Sequence, residues 1–274
     1  MRTNVWLLLL LLFAFACNGN KTEEGEKKTD SAELAEELRP DSAAPDTTTP
    51  PPAADGLFDD FAYNFMRNKK FQYQRVKFPL PVTENGKTQT IEREAWKFDR
   101  LYAHQDVYTM LFDSEKSVNA EKSHKLKHVT VEFVYLAQKK VKQYTFDKLN
   151  GQWMLVGIDV HHLSKNQNSD FFSFYYRFAN NADFQTRHIS NPFEYKTYDS
   201  DSFQEIDGVL DVAQWPDYKP ELPQTYITNI NYGQSYSNKK HRVLVITTPS
   251  AGMSCMLSFK KSNGKWMLVR MENI

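Results

Sequence analysis

The chain has 274 residues, 34 basic against 34 acidic side chains, 14% aromatic residues and two cysteines. So few cysteines exclude a disulfide framework, so the fold must be held by its cores, and the length suffices for two of roughly 105 residues each. The balanced and scattered charge argues against a nucleic-acid surface.

The first residues read as an export signal. Arg2 supplies a positive start, and Val5 to Phe13 form an apolar run too short to span a bilayer. Residues 1–16 end in Ala14-Phe15-Ala16, directly before Cys17. Small residues ahead of a cysteine predict a lipoprotein signal, with Cys17 acylated and the protein lipid-anchored to the outer membrane, on its periplasmic face or at the cell surface. An ordinary Ala-x-Ala cleavage box is the alternative, since Leu is absent three positions before Cys17. Residues 17–56 carry no aromatic side chain, ten acids against four bases, and the run Thr47-Thr48-Thr49-Pro50-Pro51-Pro52. Such a composition cannot bury enough apolar surface to offset ordering entropy, so a disordered tether is predicted. Glu23, Glu24 and Glu26 follow Cys17 closely. Acidic residues in that position suit sorting to the cell exterior, though a solvated linker is the commoner explanation.

Beyond the tether the chain repeats itself. Asn150-Gly151-Gln152-Trp153-Met154-Leu155-Val156 returns as Asn263-Gly264-Lys265-Trp266-Met267-Leu268-Val269, an offset of 113 residues. The same offset aligns Phe58, Phe61, Tyr63 and Phe65 with Phe171, Phe174, Tyr176 and Phe178, Gln72 with Gln185, and Pro79 with Pro192. A constant offset at both ends of a unit marks two copies of one fold. The predicted units are 57–162 and 170–274, joined by a short linker at 163–169.

In each copy the Phe stripe at i, i+3 and i+7 predicts an amphipathic helix. Asn68 and Asn181 then fall just past its end, where Asn tolerates a left-handed backbone. Val129 to Tyr135 and Arg242 to Thr247 are rich in β-branched residues and predict strands. Each copy closes on an Asn-Gly hairpin that pairs Phe146 with Leu155 and Lys148 with Trp153, or Phe259 with Leu268 and Lys261 with Trp266. The two lysines are placed for cation–π contact with the tryptophans. The last strand of each copy is apolar on both faces, which predicts that its second face joins the copies. Residues 92–102 and 203–215 have no clear pattern.

A helix followed by a twisted antiparallel sheet that ends in an Asn-Gly-x-Trp hairpin resembles the nuclear-transport-factor-2-like fold, an α+β, cystatin-like architecture. With the tether and the duplication, the chain is similar to a family of Bacteroidetes lipoproteins of unknown function. Members with that fold commonly dimerise through their sheets. The resemblance therefore implies a monomeric chain that is a pseudo-dimer of its own two copies. It transfers no activity, because the fold hosts enzymes and binding modules alike.

Catalytic signatures are missing: no Gly-x-Ser-x-Gly elbow, phosphate-cradling Gly loop, zinc-protease helix or Cys-rich framework occurs. His124 and His128 are four apart without a helix to bring them together. Asp159, His161 and His162 read as linker residues, and His128 and His241, each beside a lysine, as solvent-exposed. Cys255 reads as a small buried hydrophobe. Catalytic residues, metal ligands and cofactors are therefore not expected. Tyr195, Tyr198, Tyr226, Tyr232 and Tyr236 are expected in polar loops of the second copy. They suit stacking on sugars or peptides, or simply the edge of a core. The leading expectation is a non-enzymatic binding or assembly module for an envelope glycan, peptide or protein. A pocket enzyme of hydrolase or isomerase type in one copy, and a structural spacer, are the alternatives.

Overall fold

The computed structural model describes residues 54–103, 105–118, 125–199, 201–202, 204–248 and 253–273. Cys17, the expected tether up to residue 53, and His124 lie outside them, whereas Ala54 and Asp55, expected within the tether, pack against the first copy, Ala54 in its core and Asp55 on Arg75 and Trp153 N. The first copy opens with helix α1 (Phe58–Arg67) and the short α2 (Lys69–Gln74). Strands β1 (Leu80–Glu84), β2 (Lys87–Ile91), β3 (Tyr108–Phe112), β4 (His128–Tyr135), β5 (Lys140–Leu149) and β6 (Gln152–His162) follow. A one-turn helix, α3 (Glu115–Val118), sits after β3. The second copy runs α4 (Ser169–Asn180), α5 (Ala182–Thr186), β7 (Ile189–Tyr198), β8 (Glu205–Leu210), α6 (Trp215–Tyr218), β9 (Tyr226–Asn231), β10 (His241–Thr248), β11 (Met253–Ser262) and β12 (Lys265–Asn273).

The helices form where the Phe stripe requires them. Phe58, Phe61 and Phe65 are buried on one face of α1, with Asp59 and Asp60 in the first turn and Arg67 in the last, matching the helix dipole. Their rings meet the closing hairpin edge-on. Phe58 lies 5.3 Å from Phe146 and 5.2 Å from Trp153, and Phe171 lies 5.3 Å from both Phe259 and Trp266. The hairpins have the expected register. Asn150 and Gly151, like Asn263 and Gly264, sit at positive φ, as a two-residue type I′ turn demands. Lys148 and Lys261 stand 5.7 Å and 5.8 Å from the Trp153 and Trp266 rings.

Asn68 and Asn181 behave differently from expectation. Their φ values are −110° and −141°, extended and not left-handed. The chain breaks there and at once re-enters a helix, so each side chain caps that next helix by accepting from Phe71 N (2.9 Å) or Phe184 N (2.8 Å).

Two six-stranded sheets result, ordered β2-β1-β6-β5-β4-β9 and β8-β7-β12-β11-β10-β3. The expected antiparallel sheets are mixed, since β1–β6 and β7–β12 pair in parallel. Strand for strand the orders correspond, and both carry a register shift at equivalent points, 145/146 and 258/259. One edge strand of each sheet, however, comes from the other copy: β9 pairs with β4 and β3 pairs with β10. The sheets thus exchange strands across the division expected at residues 163–169, the last of which, Ser169, already opens α4.

This exchange corrects the expected seam. Trp153, Leu155 and Ile158 are buried, but Met154 and Val156 on the other face of β6 are only half-buried, and Met267 and Val269 repeat this. The copies join instead at β3 and β9. Thr109 N donates to Thr228 Oγ1 (2.8 Å) and Thr228 N to Thr109 Oγ1 (3.0 Å), while each hydroxyl donates to the other's carbonyl at 2.6 and 3.1 Å. Such reciprocity is the mark of a two-fold contact, here within one chain. Asn229 extends it by accepting from Leu111 N (2.9 Å) and donating to the buried Glu132 (2.9 Å), which also accepts from Asn166 (2.9 Å).

The two unassigned stretches hold one shared device. Trp96 and Trp215 are both buried, and their indole N–H groups donate to Gln72 Oε1 (3.1 Å) and Gln185 Oε1 (3.0 Å). The glutamines obey the 113-residue offset, whereas the tryptophans are farther apart along the chain, which hid the pair.

Candidate functional site

The site is a cleft of about 350 Å³ in the first copy, where α1 faces the exchanged strands. Asp59, Tyr63 and Arg67 recur every four residues along α1 and so share one face of the helix. Tyr102 and Gln105 enter from the loop before β3, Tyr108 from β3 itself, and Ile230 and Tyr232 from β9 and the residue just past it. Both copies therefore build the wall.

Its chemistry centres on one carboxylate among phenols. Tyr232 Oη donates to Asp59 Oδ1, and the Tyr232 ring lies 6.1 Å from Phe58. Burial, reinforced by the Asp59 carboxylate, pushes the Tyr232 and Tyr102 hydroxyls above the ordinary phenol range. They stay neutral and act as donors at any physiological pH. Arg67 stacks on Tyr63 at 4.6 Å, and Tyr102 and Tyr108 lie 6.3 Å apart. Gln105 Oε1 is shielded from solvent and has no partner among the described residues, which leaves an acceptor waiting for a donor.

The second copy does not repeat this cleft. At the Asp59 position it has Phe172, fully buried, and at the Ala62 position Tyr175, also fully buried. A larger opening of about 470 Å³ lies beside residues 219–226, but its charged residues Asp106, Lys219 and Glu221 are all exposed. Its one buried polar residue, Gln185, is already engaged by Trp215 Nε1, and we assign it no role.

The other residues singled out in the sequence do not converge. Asp159, His161 and His162 lie on β6, not in a linker, because β6 runs on to His162. His161 Nδ1 contacts Asp159 Oδ2, and His162 caps the next turn by accepting from Ser164 N. His128 is exposed and meets Asp147 at 2.7 Å. His241 is half-buried instead of exposed, and desolvation holds its imidazole below the ordinary value. Burial pushes the Cys255 thiol up to about 12, so it stays protonated. Among the described residues no cluster of His, Cys, Asp and Glu could hold a metal ion.

Of the five tyrosines, Tyr195, Tyr198 and Tyr226 lie on strands, not in loops. Tyr236 is buried and donates to Leu111 O at 2.9 Å. Tyr232 alone of the five faces the cleft. Asp59 was missed because a polar residue in the first turn of a helix needs no other explanation. Its replacement by Phe at the repeat position was the available signal.

A family model described as a domain of unknown function, DUF4348, matches residues 41–273. The chain belongs to this family. The DUF4348 chain is also similar to the crystal structure of an NTF2-like protein from Bacteroides fragilis. The two share 37% identity at a TM-score of 0.75, over 82% of this chain and 99% of the other. Its fold is accordingly NTF2-like α+β. No match is found among curated proteins.

Proposed function

We propose that this DUF4348 chain is a non-enzymatic binding module of the cell envelope, and that its ligand is a polyhydroxylated group such as the end of an envelope glycan. The observation that carries the reading is the cleft present in one copy only, with Asp59 where the other copy has a buried Phe172. Aromatic faces with a carboxylate and an orphan amide oxygen suit a ligand that offers C–H faces and hydroxyl donors. Asp59 is the only carboxylate that lines the cleft among the described residues. Hydrolysis by paired carboxylates would need a second. The same reading places the module on a lipid anchor at Cys17, with residues 17–53 as its tether and the two copies as an intrachain pseudo-dimer in a monomer.

The test is binding of the full chain to a panel of envelope glycans, beside Asp59→Phe, which gives the first copy the residue of the second. A ligand bound by the wild type and at least tenfold more weakly by the variant is the expected result. Equal binding by both, or turnover of a bound glycan, defeats the proposal. Cys17→Ser should abolish lipid labelling, and continued membrane anchoring would remove the assignment of the anchor.

A further inference from the structure

The two copies also differ at a second place, where the turn after the short second helix meets the closing hairpin. In the first copy this place is filled by the chain itself. Asp55, just ahead of α1, holds Arg75 by two hydrogen bonds of 2.9 and 2.8 Å and accepts from Trp153 N at 2.9 Å. Arg75 meanwhile lies over the Phe71 ring at 4.8 Å. A peptide carboxylate therefore bridges a cation stacked on phenylalanine and the backbone N–H of the hairpin tryptophan.

The second copy keeps this frame and leaves it open. His188 replaces Arg75 and stacks on Phe184, the counterpart of Phe71, at 3.8 Å. The backbone is held alike: Leu268 N donates to His188 O and Leu155 N to Arg75 O, both at 2.8 Å. Lys261 N donates outward to Lys240 O at 2.8 Å, so Lys261 and Trp266 form a non-hydrogen-bonded pair. Trp266 N–H thus points away from β11, as Trp153 N–H points to Asp55. Here the space is a cleft of about 540 Å³. Its walls carry Arg177, which stacks on Phe184 at 4.1 Å, and the exposed Arg187 and Lys265. None of these three has an ion-pair partner among the described residues. The one acid on the wall, Asp170, is held by Lys261 (2.7 Å) and Trp266 Nε1 (2.9 Å).

We propose that this cleft binds the aspartate or glutamate side chain of an acidic peptide from a partner protein, in the manner in which the first copy binds its own Asp55. Trp266 N–H receives the carboxylate, and Arg177, Arg187 and Lys265 supply the charge. The occupant is a peptide because the equivalent frame in the first copy already holds one.

The probe is the pentapeptide Ala-Ala-Asp-Gly-Leu, the sequence of residues 53–57, titrated into the full chain while the Trp266 amide resonance is followed. A saturable shift is expected, at least tenfold weaker in Arg187→Glu and in Lys265→Glu, both exposed positions whose replacement leaves the core intact. Ala-Ala-Asn-Gly-Leu should not move the resonance. An unmoved resonance, equal binding of the Asn peptide, or unchanged affinity in both variants overturns the proposal. So does an equal response to succinate or inorganic phosphate, which would mean an adventitious anion only.

Discussion

Asp55 ties the start of the folded chain to the first core, and its removal has a calculable cost. The Arg75 side chain is 4% exposed and that of Asp55 is 25% exposed. Asp55→Ala deletes both hydrogen bonds to the guanidinium and the one to Trp153 N, leaving a buried cation without its counter-charge. Breaking one side of a buried pair costs about 3–5 kcal/mol. For a folded unit of this size each kcal/mol moves Tm by about 2–4 °C, so a fall on the order of 10 °C is expected. Asp55→Asn retains an oxygen for Trp153 N–H or the guanidinium but loses the charge, and should give roughly half that effect. Urea unfolding followed by tryptophan fluorescence reads both variants. A loss under about 0.5 kcal/mol in Asp55→Ala would show that residues 54–57 are not docked in solution and would refute the argument.

Two further predictions test the seam. Glu132 is held above the ordinary carboxylate range chiefly by burial, opposed by hydrogen bonds from Asn229 and Asn166. The native state then keeps a proton that the unfolded chain releases near pH 4.3. Its contribution is complete below that pH and is lost as pH rises through the native value. Relative to wild type, Glu132→Gln should therefore gain stability as pH rises, and parallel stability–pH profiles would contradict this. Residues 54–165 expressed alone lack β9 and leave the edge of β4 unpaired. They should yield no stable monomer until residues 166–274 are co-expressed, and a soluble, cooperative monomer from the first half alone would remove the energetic meaning of the strand exchange.

What could be read from the residues was what depends on neighbours along the chain. The Phe stripes needed only helical periodicity, and the Asn-Gly turns needed only residues that tolerate positive φ. Asn85-Gly86 belongs to the same class: it turns β1 into β2 with both residues at positive φ, though β2 is short, largely exposed and without an apolar pattern. The paired Trp96 and Trp215 escaped a comparison at constant offset because the intervening loops differ in length.

By itself, then, the sequence showed a repeat at an offset of 113 residues and where its helices and closing hairpins lie. The tertiary structure alone decided that β3 and β9 change places, since a short strand such as Tyr108–Phe112 has the same local pattern whichever sheet it joins. Strand pairing is settled by contacts far apart in the chain, such as Thr109 with Thr228. The cleft at Asp59 follows from that exchange, because its wall is assembled from both copies.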